Sequence, residues 1–254
     1  MKDCFDLNGK VALITGASSG LGAQFARALA YRGADVVLLA RRKEKLDSVA
    51  TEIRSEFDHT VLPISCDVTD KEQIKNAVDT AISEFGKIDI LINNAGTCEI
   101  LPTADLTEES WHKVMDVNLE AVVFMTKYVV PHMMAQKSGR IINIASMYGL
   151  RASVTGPIVS YWASKGAIPQ ITRGWAWEFA PYNITVNSIA PGFFLTELMP
   201  GDDSTYQQLA DALIPLKRIG HPEEMNGLVT LLASDGAAYI TGQTIAIDGG
   251  KTSI

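Results

Sequence analysis

Lys10 to Gly22 reads KVALITGASSGLG. Its first half, Lys10 to Thr15, is short, β-branched and almost continuously apolar, which is the pattern of a strand buried on both faces of a parallel sheet. Gly16 to Gly22 is the turn that leaves it, and a helix follows at once, with Leu21, Phe25, Ala28 and Leu29 on its apolar face and a stop at Gly33. Strand, glycine turn and helix in this order is the context in which a glycine pattern points to a bound dinucleotide. Gly16 permits the tight turn, Gly20 lets backbone approach a pyrophosphate, and Gly22 lets helix and strand pack closely. The helix N-terminus adds unpaired N–H groups and partial positive charge, so Ser18, Ser19 and Leu21 join the candidate phosphate cradle. The spacing is GxxxGxG, not the commoner GxGxxG, and glycines also mark ordinary turns, so the rest of the chain must decide.

The 254 residues are 47% hydrophobic and 20% charged, a size and balance that predict one α/β domain over residues 1–254. A net charge of -7 without a basic stripe argues against nucleic acid as a partner. No apolar run approaches the ~20 residues of a membrane span. The opening MKDCFDLNGK lacks the apolar centre of a signal peptide, so a cytoplasmic location and no membrane partner are expected. Cys4, Cys66 and Cys98 are scattered without a CxxC pair, so neither a disulfide framework nor a metal site is expected.

Asp35 to Ala40 is the second strand, and its end is where a ribose is read. An acidic residue there would accept from a 2′-hydroxyl, but Ala40, Arg41 and Arg42 stand in its place. Arginine pairs with a 2′-phosphate, so NADP(H) is expected over NAD(H), with Arg41 the first candidate and Arg42 the second. Val61 to Ser65 is the third strand; Asp67 and Val68 after it fit either an adenine contact or a helix-capping turn. Asp89 to Asn93 is the fourth, and Asn93, Asn94, Ala95 and Gly96 at its end can tie neighbouring turns together and let backbone lie against a cofactor. A long helical pattern covers about Thr107 to Gln136. Asn118 lies inside its apolar stretch, as a core-satisfied amide or as the site of a kink or bound water.

Arg140 to Ser146 is the fifth strand, and Tyr161 to Lys165, YWASK, opens the next helix. Tyr161 and Lys165 are i and i+4 and share a face. A lysine beside a tyrosine, with a positively charged nicotinamide close by, favours the phenolate, so a Tyr161 pKa lowered from ~10 toward physiological pH is expected, as for a tuned acid/base. The same spacing also occurs on ordinary helix surfaces. Ile184 to Ala190 is the sixth strand, ending in Pro191, Gly192, Phe193, Phe194, Leu195 and Thr196. From about 193 to 215 no strong period holds, which reads as a mobile substrate lid. A helix after Pro222 and a strand over Gln243 to Ile247 complete the chain.

In their joint order and spacing these motifs resemble the short-chain dehydrogenase/reductase family over Leu7 to Gly250, including its 3-oxoacyl reductase and gluconate 5-dehydrogenase branches. The resemblance implies a Rossmann-type doubly wound sheet of seven parallel strands, ordered 3-2-1-4-5-6-7, with helices on both faces. It implies a pyrophosphate site at Thr15 to Gly22, an adenine site at Asp67 and Val68, a central strand steadied by Asn93 to Gly96, and a nicotinamide seat at Pro191, Gly192, Phe194 and Thr196. It also implies a catalytic tetrad of Asn118, Ser146, Tyr161 and Lys165: Tyr161 would move a proton, Ser146 would hydrogen-bond the substrate oxygen, and Lys165 would bind ribose and lower the Tyr161 pKa.

Three departures stand out: Ser146 to Tyr161 is about two residues longer than in many members, Phe194 replaces the usual Ile or Val, and Pro169 sits inside the helix after Lys165, where it removes a donor and favours a kink. A pocket of Ser146, Met147, Tyr148, Val154, Tyr161, Phe193, Phe194 and Met199 favours a keto-ester, an acyl chain or a cyclic ketone. A keto-sugar acid or polyol is the alternative, with Arg151 pairing to a carboxylate. A cofactor-binding regulator without turnover would have lost Ser146, Tyr161 or Lys165, and all three are present. The resemblance further implies a homotetramer or homodimer.

Overall fold

The computed structural model describes residues 3–152, 156–196 and 203–253. Val154 and Met199, expected to line the substrate pocket, lie outside the described residues, as does part of the expected lid.

Seven parallel strands form one sheet in the order β3-β2-β1-β4-β5-β6-β7, as expected. They are β1 (Val11–Thr15), β2 (Asp35–Ala40), β3 (Val61–Ser65), β4 (Ile90–Asn93), β5 (Gly139–Ile144), β6 (Ile184–Pro191) and β7 (Thr244–Ile247). Alternate strand positions feed opposite faces. Ala12, Ile14, Val36 and Leu38 pack with Phe25, Leu29, Leu46 and Leu232 on one side. Val11, Leu13, Val37 and Leu39 pack with Ile74, Val78, Met125 and Phe179 on the other. Helices α1 (Gly20–Tyr31), α2 (Lys43–Glu56) and α8 (Asn226–Ala233) cover the first face, and α3 (Lys71–Phe85), α5 (Ala121–Gln136) and α6 (Val159–Phe179) the second. Burial on both faces is why the central strands read as continuous apolar runs.

Two elements differ from expectation. The long helix is two helices, α4 (Glu108–Met115) and α5, joined by a π-helical turn over Asp116–Glu120. Helix α6 keeps Pro169 inside it, buried between Ile168 and Thr172. The stretch read as irregular contains a helix, α7 (Asp203–Leu213); Leu209, Ala210, Leu213 and Ile214 form an apolar face that packs on Ile219 and Phe193.

The strand switch point lies between β1 and β4, and among the described residues the glycine turn, Asn94 to Gly96, Ser146, Gly192 and Thr196 follow the carboxyl ends of the strands, where ligands of such sheets bind.

Candidate active site

The glycine turn is as tight as its sequence suggests. Gly16 and Gly20 adopt φ of 66° and 54°, and a Cβ at Gly22 would stand 2.3 Å from the Gly16 carbonyl oxygen. Only glycine fits there. Thr15 ties this turn to the end of β4: its hydroxyl accepts from the Asn94 and Ala95 N–H groups at 2.9 and 3.0 Å, while the Asn94 amide donates to the Thr15 carbonyl at 2.9 Å. Across the cleft, Thr196 stands 3.5 Å from the position of a Cβ on Gly20, so the segment after β6 reaches over the turn. Pro191 ends β6, and Gly192 donates to the Ile247 carbonyl at 2.9 Å and packs against Asp248, where a Cβ would come within 2.6 Å.

The two arginines after β2 part company. Arg42 donates to the hydroxyls of Ser18 and Ser19 at 3.2 and 2.8 Å, bringing its guanidinium onto the glycine turn. Arg41 is 74% exposed and lies 4.0 Å from Asp67. Asp67 accepts from the Thr69 N–H and hydroxyl at 3.0 and 2.9 Å, a turn arrangement, and Val68 is buried against α3. The cradle therefore combines a helix N-terminus, close-approach glycines, two serine hydroxyls and a guanidinium, a donor set that fits the phosphates of a nicotinamide dinucleotide.

At the ends of β5 and α6 the candidate reacting groups meet. The Ser146 hydroxyl accepts from the Tyr148 N–H at 3.1 Å, which leaves its proton to donate, and it is hydrogen-bonded to Tyr161. Tyr161 lies in the first turn of α6, near Cys98 and Tyr148. Lys165 is 4% exposed and donates to the Ile144 carbonyl at 2.7 Å. The expected lowering of the Tyr161 pKa includes the charge of a nicotinamide; the protein's own groups shift it upward. Burial pushes the phenol up to about 12 against a smaller opposing effect of the Ser146 hydrogen bond. Burial also lowers Lys165 to about 8, and its ammonium lies 6.0 Å from the Tyr161 ring centroid. Desolvation is the largest influence on both groups.

Asn118 is fully buried within the π-helical turn. Its oxygen accepts from the Thr97 N–H at 2.8 Å, and its amide donates to the Thr97 carbonyl at 2.9 Å and the Ser164 hydroxyl at 3.1 Å. The core-satisfied amide and the helix irregularity are thus both present. A Cβ at Gly96 would stand 3.5 Å from both Asn118 Oδ1 and Lys165 Nζ, so Gly96, Asn118 and Lys165 share one corner. The Ile144 carbonyl, Ser164 and Cys98 were not singled out by sequence. A main-chain carbonyl leaves no residue signal, and Ser164 and Cys98 are identified only by what they touch. The loop after Ser146 begins with a tight turn, Met147–Gly149, in which a Cβ at Gly149 would lie 2.3 Å from the Lys165 carbonyl oxygen. The Tyr148 ring meets Phe193 edge-on at 6.0 Å.

A family model described as enoyl-(acyl carrier protein) reductase matches residues 16–252. The 3-oxoacyl-[acyl-carrier-protein] reductase FabG of Thermotoga maritima is 40% identical over 244 residues, covering 96% of this chain and 98% of that protein. The NAD-dependent glycerol dehydrogenase of Listeria innocua is 40% identical over 251 residues, covering 98% and 96%. Among solved structures, a gluconate 5-dehydrogenase from Burkholderia cenocepacia, in complex with NADP and tartrate, superposes with a TM-score of 0.93 at 37% identity, covering 99% of this chain and 98% of that one. With this fold, this turn and these matches along nearly its whole length, the chain belongs to the short-chain dehydrogenase/reductase family of oxidoreductases.

Proposed function

We propose that the protein is an NADP(H)-dependent oxidoreductase that interconverts a ketone and a secondary alcohol, with Tyr161 as its acid/base. The observation that carries this reading is the meeting of Ser146, Tyr161 and Lys165 beside the Gly96 backbone, at the end of the cleft that begins with the glycine turn. A bound nicotinamide supplies or accepts the hydride. The chain's own groups handle the oxygen. In reduction Tyr161 gives its phenolic proton to the substrate oxygen as charge grows there, and the Ser146 hydroxyl donates a hydrogen bond to the same atom. Lys165, fixed by the Ile144 carbonyl, would hold the nicotinamide ribose with its remaining donors, and Asn118 braces that corner. A phenol near 12 stays protonated at neutral pH, ready for reduction. Alcohol oxidation needs the phenolate, so its rate rises with pH.

The preference for NADP(H) is supported by Arg42 on Ser18 and Ser19 and by the NADP in the Burkholderia cenocepacia enzyme. A second reading, a keto-sugar acid or polyol with NAD(H), is favoured by the glycerol dehydrogenase relative and by Arg151, whose exposed side chain follows the Met147–Gly149 turn.

The test is a panel of ketones, keto-esters and keto-sugars with NADPH and NADH, run on the native chain and on Tyr161→Phe. NADPH-dependent turnover that falls by about 10²-fold or more in Tyr161→Phe, with NADPH binding retained by fluorescence, is expected. Full activity in Tyr161→Phe would remove the acid/base assignment.

A further inference from the structure

We propose that Arg218 and Glu224 are positioning residues for the dinucleotide: their ion pair braces the strap of residues 193–196 over the glycine turn. The inference rests on the reading of the cleft as a nicotinamide dinucleotide site and adds to it the groups that fix one of its walls.

The strap leaves β6 through Gly192, held by the Ile247 carbonyl, and is then pinned at one point. Gly220 donates to the Phe193 carbonyl at 3.0 Å and its own carbonyl accepts from the Leu195 N–H at 3.3 Å, so two hydrogen bonds straddle Phe194. Phe194 is buried in the same cluster as Phe25 of α1 and Met225. Its ring covers Gly220, where a Cβ would stand 2.6 Å from a ring carbon, so the missing side chain at 220 is what makes the contact possible. Two residues beyond this pin, Thr196 comes to 3.5 Å from the position of a Cβ on Gly20.

Gly220 is itself held from both sides by one carboxylate. Arg218 clasps Glu224 through two 2.7 Å bonds, and the His221 N–H adds a third to the same group at 2.8 Å. The Arg218 guanidinium, helped by that N–H, holds the Glu224 carboxyl down at about 2, so the pair stays charged throughout the neutral range. Glu224 lies in the short turn Pro222–Met225 that opens into α8, and Asn226 at the start of α8 accepts from the Gln24 amide of α1 at 3.0 Å. Helix α1 begins at the glycine turn. A closed circuit therefore runs along α1 to Gln24 and Asn226, through Glu224, Arg218 and His221 to Gly220, and by way of Phe194 back to Thr196 above Gly20. The side chains of Arg218 and Glu224 are 48% and 39% exposed, and an ion pair so exposed adds little to stability. Two parallel bonds do fix a direction, and here they set the spacing between strap and turn.

The experiment measures NADPH and NADH binding by fluorescence, and 2′,5′-ADP binding by calorimetry, on the native chain, Arg218→Met, Glu224→Gln, the double variant of these two and Gly220→Ala. 2′,5′-ADP lacks the nicotinamide half implied for the strap; 5′-AMP takes its place if NADH is the tighter ligand. The NADPH dissociation constant is expected to rise roughly 3- to 30-fold in each single variant while the adenosine fragment binds as before. The double variant is expected to lose no more than either of its singles, because both break the same brace. If Gly220→Ala does not fold, the two half-exposed positions carry the test. Native NADPH affinity in Arg218→Met and Glu224→Gln would overturn the brace and leave the dinucleotide reading standing. Equal losses for NADPH and the fragment would overturn it as well, since the whole cleft and not the strap would have shifted. A native chain that binds neither NADPH nor NADH would end the dinucleotide reading and the brace with it.

Discussion

Arg42 is the guanidinium that touches the glycine turn, so Arg42→Ala is expected to lower the NADPH to NADH ratio of kcat/KM by about 10- to 100-fold, the worth of charge-assisted hydrogen bonds. Arg41→Ala should have the smaller effect; the reverse order would put the 2′-phosphate on Arg41. Lys165 makes a prediction about stability. Its pKa is about 8 when folded, below the ordinary lysine value of 10.5, so above 8 the unfolded chain binds the extra proton. Between about pH 8 and 10 the native protein should gain stability relative to Lys165→Met, by up to about 1.4 kcal/mol per pH unit. Above 10 the raised Tyr161 works the other way, because the unfolded chain sheds that proton first. Paired denaturant titrations of the two proteins at pH 7, 8, 9 and 10 measure the difference, and parallel curves would show that Lys165 is not desolvated as its burial implies.

Among the elements, the α4–π–α5 segment shows how one amide shapes a helix. Asn118 satisfies both the N–H and the carbonyl of Thr97 and reaches Ser164 on α6, so three elements meet at one side chain. The extra residue of the π-helical turn is the local irregularity at which such a side chain is held inward. Replacing Asn118 with Leu leaves the part-buried N–H and carbonyl of Thr97 without their partner, a loss of about 1–3 kcal/mol. A lowered urea midpoint with an unchanged slope is expected for Asn118→Leu, together with weaker activity from the disturbed corner at Gly96 and Lys165. A midpoint equal to the native one would mean that water replaces the amide.

At the level of the whole molecule, the doubly wound sheet leaves one end for chemistry and the other for structural ties. At the amino ends of the strands Asp89 accepts from the Val11 N–H at 2.9 Å and pairs with Lys87 at 2.9 Å, while Arg140 donates to the Ser234 carbonyl at 3.3 Å. No helix among the described residues is long and apolar enough to cross a membrane. Trp177 is 84% exposed and Tyr239 is fully exposed, large aromatic surfaces that a second copy of the chain would cover. We therefore expect light scattering to give the mass of a dimer or tetramer; a monomer mass at micromolar concentration would end that proposal.

The order of strands and helices, the glycine turn and the Tyr161 to Lys165 spacing were legible in the sequence because each is a local or periodic property. A buried parallel strand must be apolar throughout, a helix face repeats every three to four residues, and a turn with positive φ calls for glycine. Which arginine reaches Ser18 and Ser19, the π-helical turn at Asn118, the carbonyl that holds Lys165 and the helix within the expected lid were decided by tertiary structure. So was the upward shift that burial among the protein's own groups gives Tyr161. Each depends on groups far apart in the chain, and on burial, which fixes the local dielectric and decides whether desolvation or charge prevails.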